Sequence, residues 1–312
     1  MIALGFDTSN YTTSVAAFDG ERGENCSRLL DVKPGELGLR QSDAVFSHIK
    51  RLPELSDRLF HNIGHQEITA IGVSTRPRSV EGSYMPCFLA GESHARVLGA
   101  ALGVPVYEFS HQQGHIAASL WGAGRMDLME KPHLAWHLSG GTTELLLVTP
   151  DGVAVRAEKL GGTTDISAGQ LIDRTGLLLG LQFPCGKALD ALADPECKDK
   201  FSPKVNDFSF SLSGAQNKVE QYFAQTKSPE KTAAFCLNTV ISAILSATKN
   251  ARKAYPGSDV VFAGGVASNS RLRAKAAGLG PVFCPPEYST DNAMGIAVLT
   301  WRRRQSDGLS NL

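Results

Sequence analysis

The sequence predicts an α/β fold made of two related halves. Two stretches carry that expectation: "IALGFDTSNYTTSVAAFDG" from Ile2 and "LAWHLSGGTTELLLVTPDG" from Leu134. Each reads as an apolar strand, a small polar turn, a second apolar strand and an Asp-Gly turn, which is the pattern of a β-hairpin. After each hairpin, helical periodicity alternates with short apolar runs, the succession that lays helices on the faces of a sheet. With 312 residues and 42% hydrophobic content, the chain has enough apolar material for two domains. The expected division is 1–130 and 131–312, the last helix packing back on the first half.

The elements follow in order. After the first hairpin, residues 36 to 62 place apolar side chains at helical spacing, and "ITAIGVST" (68–75) reads as a buried strand. "FLAGESHARVLGAALG" (88–103) is a helix rich in small residues, followed by the short strand "PVYEF". Ser110 is then placed to cap the helix "SHQQGHIAASLW". In the second half, "SAGQLIDRTGLLLGL" and "PEKTAAFCLNTVISAILSATKNARKAY" are helical, the latter long and amphipathic. "VVFAGGVASNSRLRAKA" reads as strand, glycine turn and helix, and "VFCPPEYSTDNAMGIAVLTWRRR" repeats that logic with Asp291 near a helix start. The polar tail "RRRQSDGLSNL" is expected to fray.

Charge and cysteine usage narrow the function classes. Thirty-one basic residues balance 31 acidic ones, so no global positive field draws in a polyanion, and a nucleic-acid substrate needs a local patch or a partner protein. "RLRAK" and "WRRR" are candidate patches; short charge runs of this kind are also ordinary solvated helix faces. The 6 cysteines include no CxxC pair, which argues against a zinc ribbon and a redox dithiol and fits reduced thiols. The N-terminus lacks the basic start and continuous apolar run of a signal peptide, and no run of about 18 consecutive apolar residues offers a membrane span. The expected location is cytoplasmic.

"SHQQGH" sets His111 and His115 on one face of a helix, close enough to share one cation. Spacing alone is not decisive, because His61 with His65 and His133 with His137 repeat it among only 8 histidines. His133 and His137 fall in a strand, where four residues span about 13 Å, too far for one ion, and Gly64 interrupts the other pair at a helix end. What sets His111 and His115 apart is a capped helix directly after a strand. The alternative is a capped surface helix with solvated histidines. A zinc-peptidase reading fails, since Gln112 stands where HExxH requires its glutamate base.

The paired hairpins resemble those that open each half of the actin-like ATPase superfamily (sugar kinases and Hsp70 among them), a ribonuclease H-like fold whose halves face a nucleotide cleft. More specifically, "SHQQGH", "LSGGTTELLLV", "SAGQLIDRTGLLLGLQFPCG", "DFSFSLSG", "VVFAGGVASNSRLR" and "STDNAMGIA" occur in the order found in one family over nearly the whole chain. The sequence is similar to the TsaD family, the tRNA adenosine threonylcarbamoyltransferases formerly called O-sialoglycoprotein endopeptidases. The resemblance implies that His111, His115 and Asp291 hold one divalent metal, Fe(II) or Zn(II). It implies that Ser139, Gly140, Gly141, Thr142, Asp173, Gly186 and Asn269 line an adenine-nucleotide site, with Asp173 and Asp7 as catalytic acids. The implied reaction passes a threonylcarbamoyl group from its adenylate to the N6 amine of the adenosine next to the tRNA anticodon. Implied partners are tRNA and accessory proteins of that pathway, including a homologous heterodimer partner, and no membrane.

The chain is a divergent member of this pattern. The family's first turn reads Glu-Thr-Ser-Cys-Asp-Glu, against Asp7 to Thr12 here; its Gly-Pro-Gly loop becomes Arg76-Pro77-Arg78. Thr142 replaces a histidine, Ile166 and Gln170 replace acids, Cys185 replaces a glycine, and Gln113 replaces a glutamate. Two further readings therefore stand beside the transferase. One is a small-molecule carbamoyltransferase or ATPase on the same fold. The other is a non-catalytic paralogue that pairs with an active homologue through the apolar face "FCLNTVISAIL" of the long helix.

Overall fold

The computed structural model describes residues 1–9, 11–31, 39–64 and 67–309; Asn10, His65 and the last three residues of the tail lie outside them. In chain order the elements are β1 (Ile2–Asp7), β2 (Thr12–Phe18), β3 (Gly23–Leu29), α1 (Gln41–Ile63), β4 (Ile68–Arg76), α2 (Phe88–Leu102), β5 (Val106–Ser110) and α3 (His111–Gly122). There follow β6 (His133–Leu138), β7 (Thr143–Asp151), β8 (Ala154–Thr163), α4 (Ala168–Leu178), α5 (Gly186–Leu192), β9 (Val205–Asn206), β10 (Ser209–Phe210), α6 (Ser213–Thr226) and α7 (Pro229–Ala254). β11 (Val260–Ala263), α8 (Ser270–Ala276), β12 (Val282–Phe283) and α9 (Met294–Leu309) complete the chain. The chain divides into two compact units, one of residues 1–131, 149–157 and 287–312, the other of 132–148 and 158–286.

The first unit holds a five-stranded sheet in the order β3-β2-β1-β4-β5. β1 pairs antiparallel with β2 and parallel with β4, and β4 pairs parallel with β5. Leu4, Phe6, Ile71 and Val73 on these strands pack with Leu52, Leu55 and Leu59 of α1 and Ala95 of α2 in one core. All of β1 is buried, which explains its near-continuous apolar run. α9 packs within this same unit, where Ala293, Met294, Ala297 and Val298 join Ala16 and Phe18 of β2.

The second unit holds a seven-stranded sheet, β12-β11-β6-β7-β8-β10-β9. Its first five strands repeat the arrangement of the other sheet: a three-strand antiparallel meander by chain order, whose first strand pairs parallel with the fourth and that with the fifth. The duplication read from the two hairpins is therefore a duplication of sheet topology, with β3 and β8 as third strands that the sequence reading did not separate. Trp136 is fully buried and its Nε1–H donates to Thr248 Oγ1 at 2.8 Å, satisfying the indole in the core. α7 is long and apolar enough to pass for a membrane span by length and composition, yet 78% of that window is buried within the protein. Phe235, Cys236, Leu237, Val240, Ile241 and Ile244 are spent in the unit's own core, so the face "FCLNTVISAIL" is not available for dimerisation.

Candidate functional site

α3 begins with a capping box. Ser110 Oγ accepts from Gln113 N, and Gln113 Oε1 accepts from Ser110 N at 2.9 Å. The cap sets the first helical residue, His111, at the carboxyl end of β5, and His115 one turn on; their ring centroids lie 4.3 Å apart. Asp291 is 176 residues from His115 in sequence. It is brought close because α3 and α9 meet backbone to backbone: a Cβ on Gly295 would fall 1.8 Å from Gly114 O, and one on Gly114 would fall 2.8 Å from Ile296. Only paired glycines permit that approach, and the segment just before α9 then reaches both histidines.

The result is a half-buried cluster in which ligand atoms of His111, His115 and Asp291 all lie within 4.8 Å of one another. Asp291 Oδ1 stands 3.0 Å from His115 Nε2 and 3.5 Å from His111 Nε2. The other nitrogen of His111, Nδ1, lies 2.7 Å from Asp7 Oδ2. Asp7 is 1% exposed and its remaining oxygen accepts from Ser9 N at 2.9 Å. Burial raises the Asp7 pKa, but His111 and the Ser9 amide outweigh it and leave the carboxyl below its ordinary value. An ionised carboxylate only accepts, so Nδ1 carries the proton and Nε2 is left to face Asp291.

Burial also draws His111 towards its neutral form, yet the Asp7 and Asp291 carboxylates prevail and raise its pKa to about 10. Asp291 is held well below the carboxylate range: burial opposes ionisation, and hydrogen bonds from His111 and His115 overcome it. Two imidazoles, one carboxylate and a carboxylate behind an imidazole form a donor set suited to a divalent transition metal. A cation at Nε2 takes the place of the proton there. The residues present therefore fit a metal.

Asp7, expected as a catalytic acid, is in contact with a ligand histidine. Each of its oxygens is engaged once, Oδ2 with His111 Nδ1 and Oδ1 with Ser9 N, which fixes the orientation of the His111 ring. A second buried histidine in this unit was not singled out from the sequence. His48 is fully buried, its Nδ1 is 2.8 Å from Thr13 Oγ1, and its Nε2 has no partner. Burial lowers its pKa to about 4, despite the charge of Asp7.

In the second unit, the β6–β7 turn is closed on itself: Ser139 N donates to Thr142 O, and Thr142 N donates to Ser139 Oγ. α4 is seated on that turn, for Ser167 Oγ donates to Gly140 O at 2.6 Å. A Cβ on Gly169 would fall 2.5 Å from both Gly140 Cα and Ser139 O. Gly140, Gly141 and Gly186, by contrast, have no atom within 4 Å of where a Cβ would sit, so the backbone there is open to a ligand. Asp173 Oδ1 accepts from Cys185 N at 2.8 Å, at the start of α5. Asn269 caps α8, its Oδ1 accepting from Leu272 N at 3.0 Å. Asp190 accepts from the backbone and hydroxyl of Ser270, which ties α5 to α8.

This chain matches the family profile described as tRNA N6-adenosine threonylcarbamoyltransferase over residues 36–298. The chain belongs to that family. A tRNA N6-adenosine threonylcarbamoyltransferase of Thermosipho africanus (strain TCF52B) is 33% identical over 97% of this chain and 94% of its own length. The protein of the same description from Sulfurihydrogenibium sp. (strain YO3AOP1) is 31% identical over 99% and 93%. Among solved structures, full-length HypF covers 98% of this chain with a TM-score of 0.62 at 14% identity, matching 46% of its own chain. A ROK hexokinase from Thermus thermophilus covers 98% of this chain and all of its own at a TM-score of 0.52 and 19% identity. These likenesses show the actin-like ATPase fold.

Two departures from the threonylcarbamoyltransferase pattern have a structural account. Gln113 and Gln170 both occupy the third position of a capping box, where glutamine serves as well as glutamate. Gln113 Nε2 also donates to Val155 O at 3.0 Å, which a carboxylate does not do. Arg76 ends β4 opposite Ser110, and its guanidinium donates to Thr75 Oγ1 at 3.2 Å.

Proposed function

We propose that this family member transfers a threonylcarbamoyl group from threonylcarbamoyl-AMP to the N6 amine of the adenosine next to the anticodon of a tRNA. The observation that carries the reading is the convergence of His111, His115 and Asp291, with Asp7 fixing His111, in a chain of this family. His111 Nε2, His115 Nε2 and Asp291 would hold one divalent cation, Fe(II) or Zn(II) by donor type. When bound, the metal supplies electrophilic stabilisation of negative charge on the donor's oxygens.

The remaining steps belong to the chain itself. The open backbone at Gly140, Gly141 and Gly186, together with Ser139 and Thr142, would receive the adenylate phosphate. Asp173 keeps one carboxylate oxygen and Asn269 keeps its amide N–H groups for ribose or base edges, since their other atoms are engaged. In the transfer, a bond forms between N6 and the carbamoyl carbon, the carbon–oxygen bond to the phosphate breaks, and AMP leaves with the electron pair. The N6 proton passes to the leaving phosphate or to water. The donor is a mixed anhydride, so positioning supplies much of the rate and no covalent enzyme intermediate is needed. Accessory proteins that make the donor, with a homologous partner among them, are the implied company, and the tRNA substrate puts the reaction in the cytoplasm.

The test is reconstitution of the untagged protein with the donor and accessory proteins, followed by nucleoside analysis of the tRNA and elemental analysis of the enzyme. The wild type yields threonylcarbamoyladenosine and carries one metal; His111→Ala/His115→Ala loses both. Unmodified tRNA from metal-replete wild type refutes the proposal.

A further inference from the structure

The formal net charge is 0, so a polyanionic partner must be held by a local cluster of cations. The arginines of the basic runs visible in the sequence do not supply it. Arg271 donates to the Ala193 and Asp194 carbonyls. Arg273 donates to Ala267 O and Cys284 O and lies 4.6 Å over the Phe283 ring. Arg302 pairs with Glu130 and Arg303 with Asp307. Those guanidiniums hold the fold together.

Lys275, which closes the first of those runs, joins Lys200 and Lys249 in a group of cations without an acidic partner among the described residues. Lys200, Lys249 and Lys275 surround a groove of about 160 Å³ on the second unit, together with Asn238, Ser242 and Ser246. No carboxylate pairs with any of these three lysines among the described residues, and all three are exposed. The groove is built. Asn238 is 1% exposed, and its amide nitrogen donates to Cys197 O at 3.0 Å and Asp199 O at 3.1 Å, which turns Oδ1 towards Lys275 Nζ at 2.6 Å. Partial burial, then the neighbouring charges of Arg271 and Lys200, make Lys275 easier to deprotonate than an ordinary lysine, the mark of a cation cluster without a counter-ion.

We propose that this groove binds the phosphodiester backbone of RNA. The inference rests on the tRNA reading above and adds where the polynucleotide is gripped. The volume suits one phosphate group and is below the roughly 300 Å³ at which pockets for nucleotide-sized ligands begin. Lysines act as point charges that neutralise phosphate without reading sequence, and the Ser246 hydroxyl on α7 supplies a neutral donor, while that of Ser242 is given to Thr239 O at 2.8 Å.

The experiment measures tRNA binding to the full chain by fluorescence anisotropy between about 50 and 200 mM salt, the range over which phosphate contacts declare themselves. Lys200→Ala, Lys249→Ala and Lys275→Ala each lower the slope of log affinity against log salt by about 1, and the triple variant weakens binding about 10- to 100-fold at the low-salt end. Lys249→Arg restores the slope, metal content stays that of the wild type in every variant, and the melting temperature stays so in Lys200→Ala and Lys249→Ala, while Lys275→Ala and the triple variant, which leave buried Asn238 Oδ1 without its donor, melt lower but fold. Equal tRNA affinity and slope in wild type and triple variant overturns the proposal, and so does a groove that takes up inorganic phosphate while tRNA binding ignores the lysines. Nucleoside analysis separates the two readings. If the triple variant binds and modifies tRNA as the wild type does, only the groove falls; if the wild type neither binds nor modifies tRNA, both fall.

Discussion

Replacing Asp7 by Asn removes one charge and changes no volume, so it isolates what the carboxylate does for His111. In the wild type, Oδ2 accepts from His111 Nδ1 at 2.7 Å and Oδ1 accepts from Ser9 N at 2.9 Å, and Asp7 itself is 1% exposed. Asparagine offers one acceptor and one NH2 group. If its oxygen faces Ser9, the NH2 meets the ring at Nδ1, and the imidazole relaxes by moving its proton to Nε2, the atom that faces Asp291. If the oxygen faces the ring, the NH2 meets the Ser9 N–H instead and a buried donor is orphaned. Either arrangement weakens metal binding, and loss of a carboxylate behind a ligating histidine costs about 10- to 100-fold in affinity, or roughly 1.4 to 2.7 kcal/mol. Competition of the purified protein with a chromophoric chelator for Zn(II) measures it directly, with thermal unfolding as the control. An affinity within about threefold of wild type in a folded variant would mean that Asp7 does not orient the ligand.

Two further outcomes follow from buried groups. The unfolded chain protonates His48 near its ordinary 6.5, whereas the folded chain resists down to about 4; stability from this residue is therefore complete above 6.5, is lost as pH falls through that window, and levels off below it. The difference amounts to about 3 kcal/mol, and urea titrations at pH 7.5, 6 and 5 should show it flattened in His48→Gln; parallel profiles for the two proteins would remove His48 from the account. Gly169→Ala drives a Cβ to 2.5 Å from Gly140 Cα and Ser139 O, both backbone atoms with little room to yield. Equilibrium binding of AMP should weaken about tenfold or more, roughly 1.4 kcal/mol, while Gly214→Ala, with no neighbour within 4 Å of the new methyl, should bind as the wild type does; equal affinities for the two would detach the turn from the nucleotide.

The sequence disclosed what is local. Both hairpins, the Ser110 cap and the spacing of His111 and His115 are patterns within a dozen residues, and each appears where the periodicity put it. The third strands β3 and β8 were harder to read. β3 is an edge strand with four of its seven positions polar or charged and only Cys26 buried, so period-two alternation is absent. Asp291 joins the histidines through the contact of Gly114 with Gly295, a tertiary event with no local signature. The lysine groove draws on a loop, α7 and α8: Lys200 and Lys249 lie far from either basic run, and of "RLRAK" only Lys275 reaches it, the arginines being tied to carbonyls and acids.

The missing acids look different once their positions are known. A glutamate in a capping box works through an acceptor oxygen reaching back to one amide, and the glutamine amide has that oxygen too, so Gln113 and Gln170 cost the fold nothing. Gln113 also gains a donor that holds Val155 O, which anchors the first turn of the helix bearing both histidines. At position 7 the family's longer glutamate has become aspartate, but the acid survives, and it still reaches His111 Nδ1 at 2.7 Å. At these three positions the charge stays where it holds His111 Nδ1 and has gone where only an acceptor oxygen is needed; the acids replaced by Tyr11, Thr12 and Ile166 have no structural explanation. Keeping a carboxylate at 1% exposure carries a desolvation cost, and at position 7 that cost is offset by the His111 ring and the Ser9 amide.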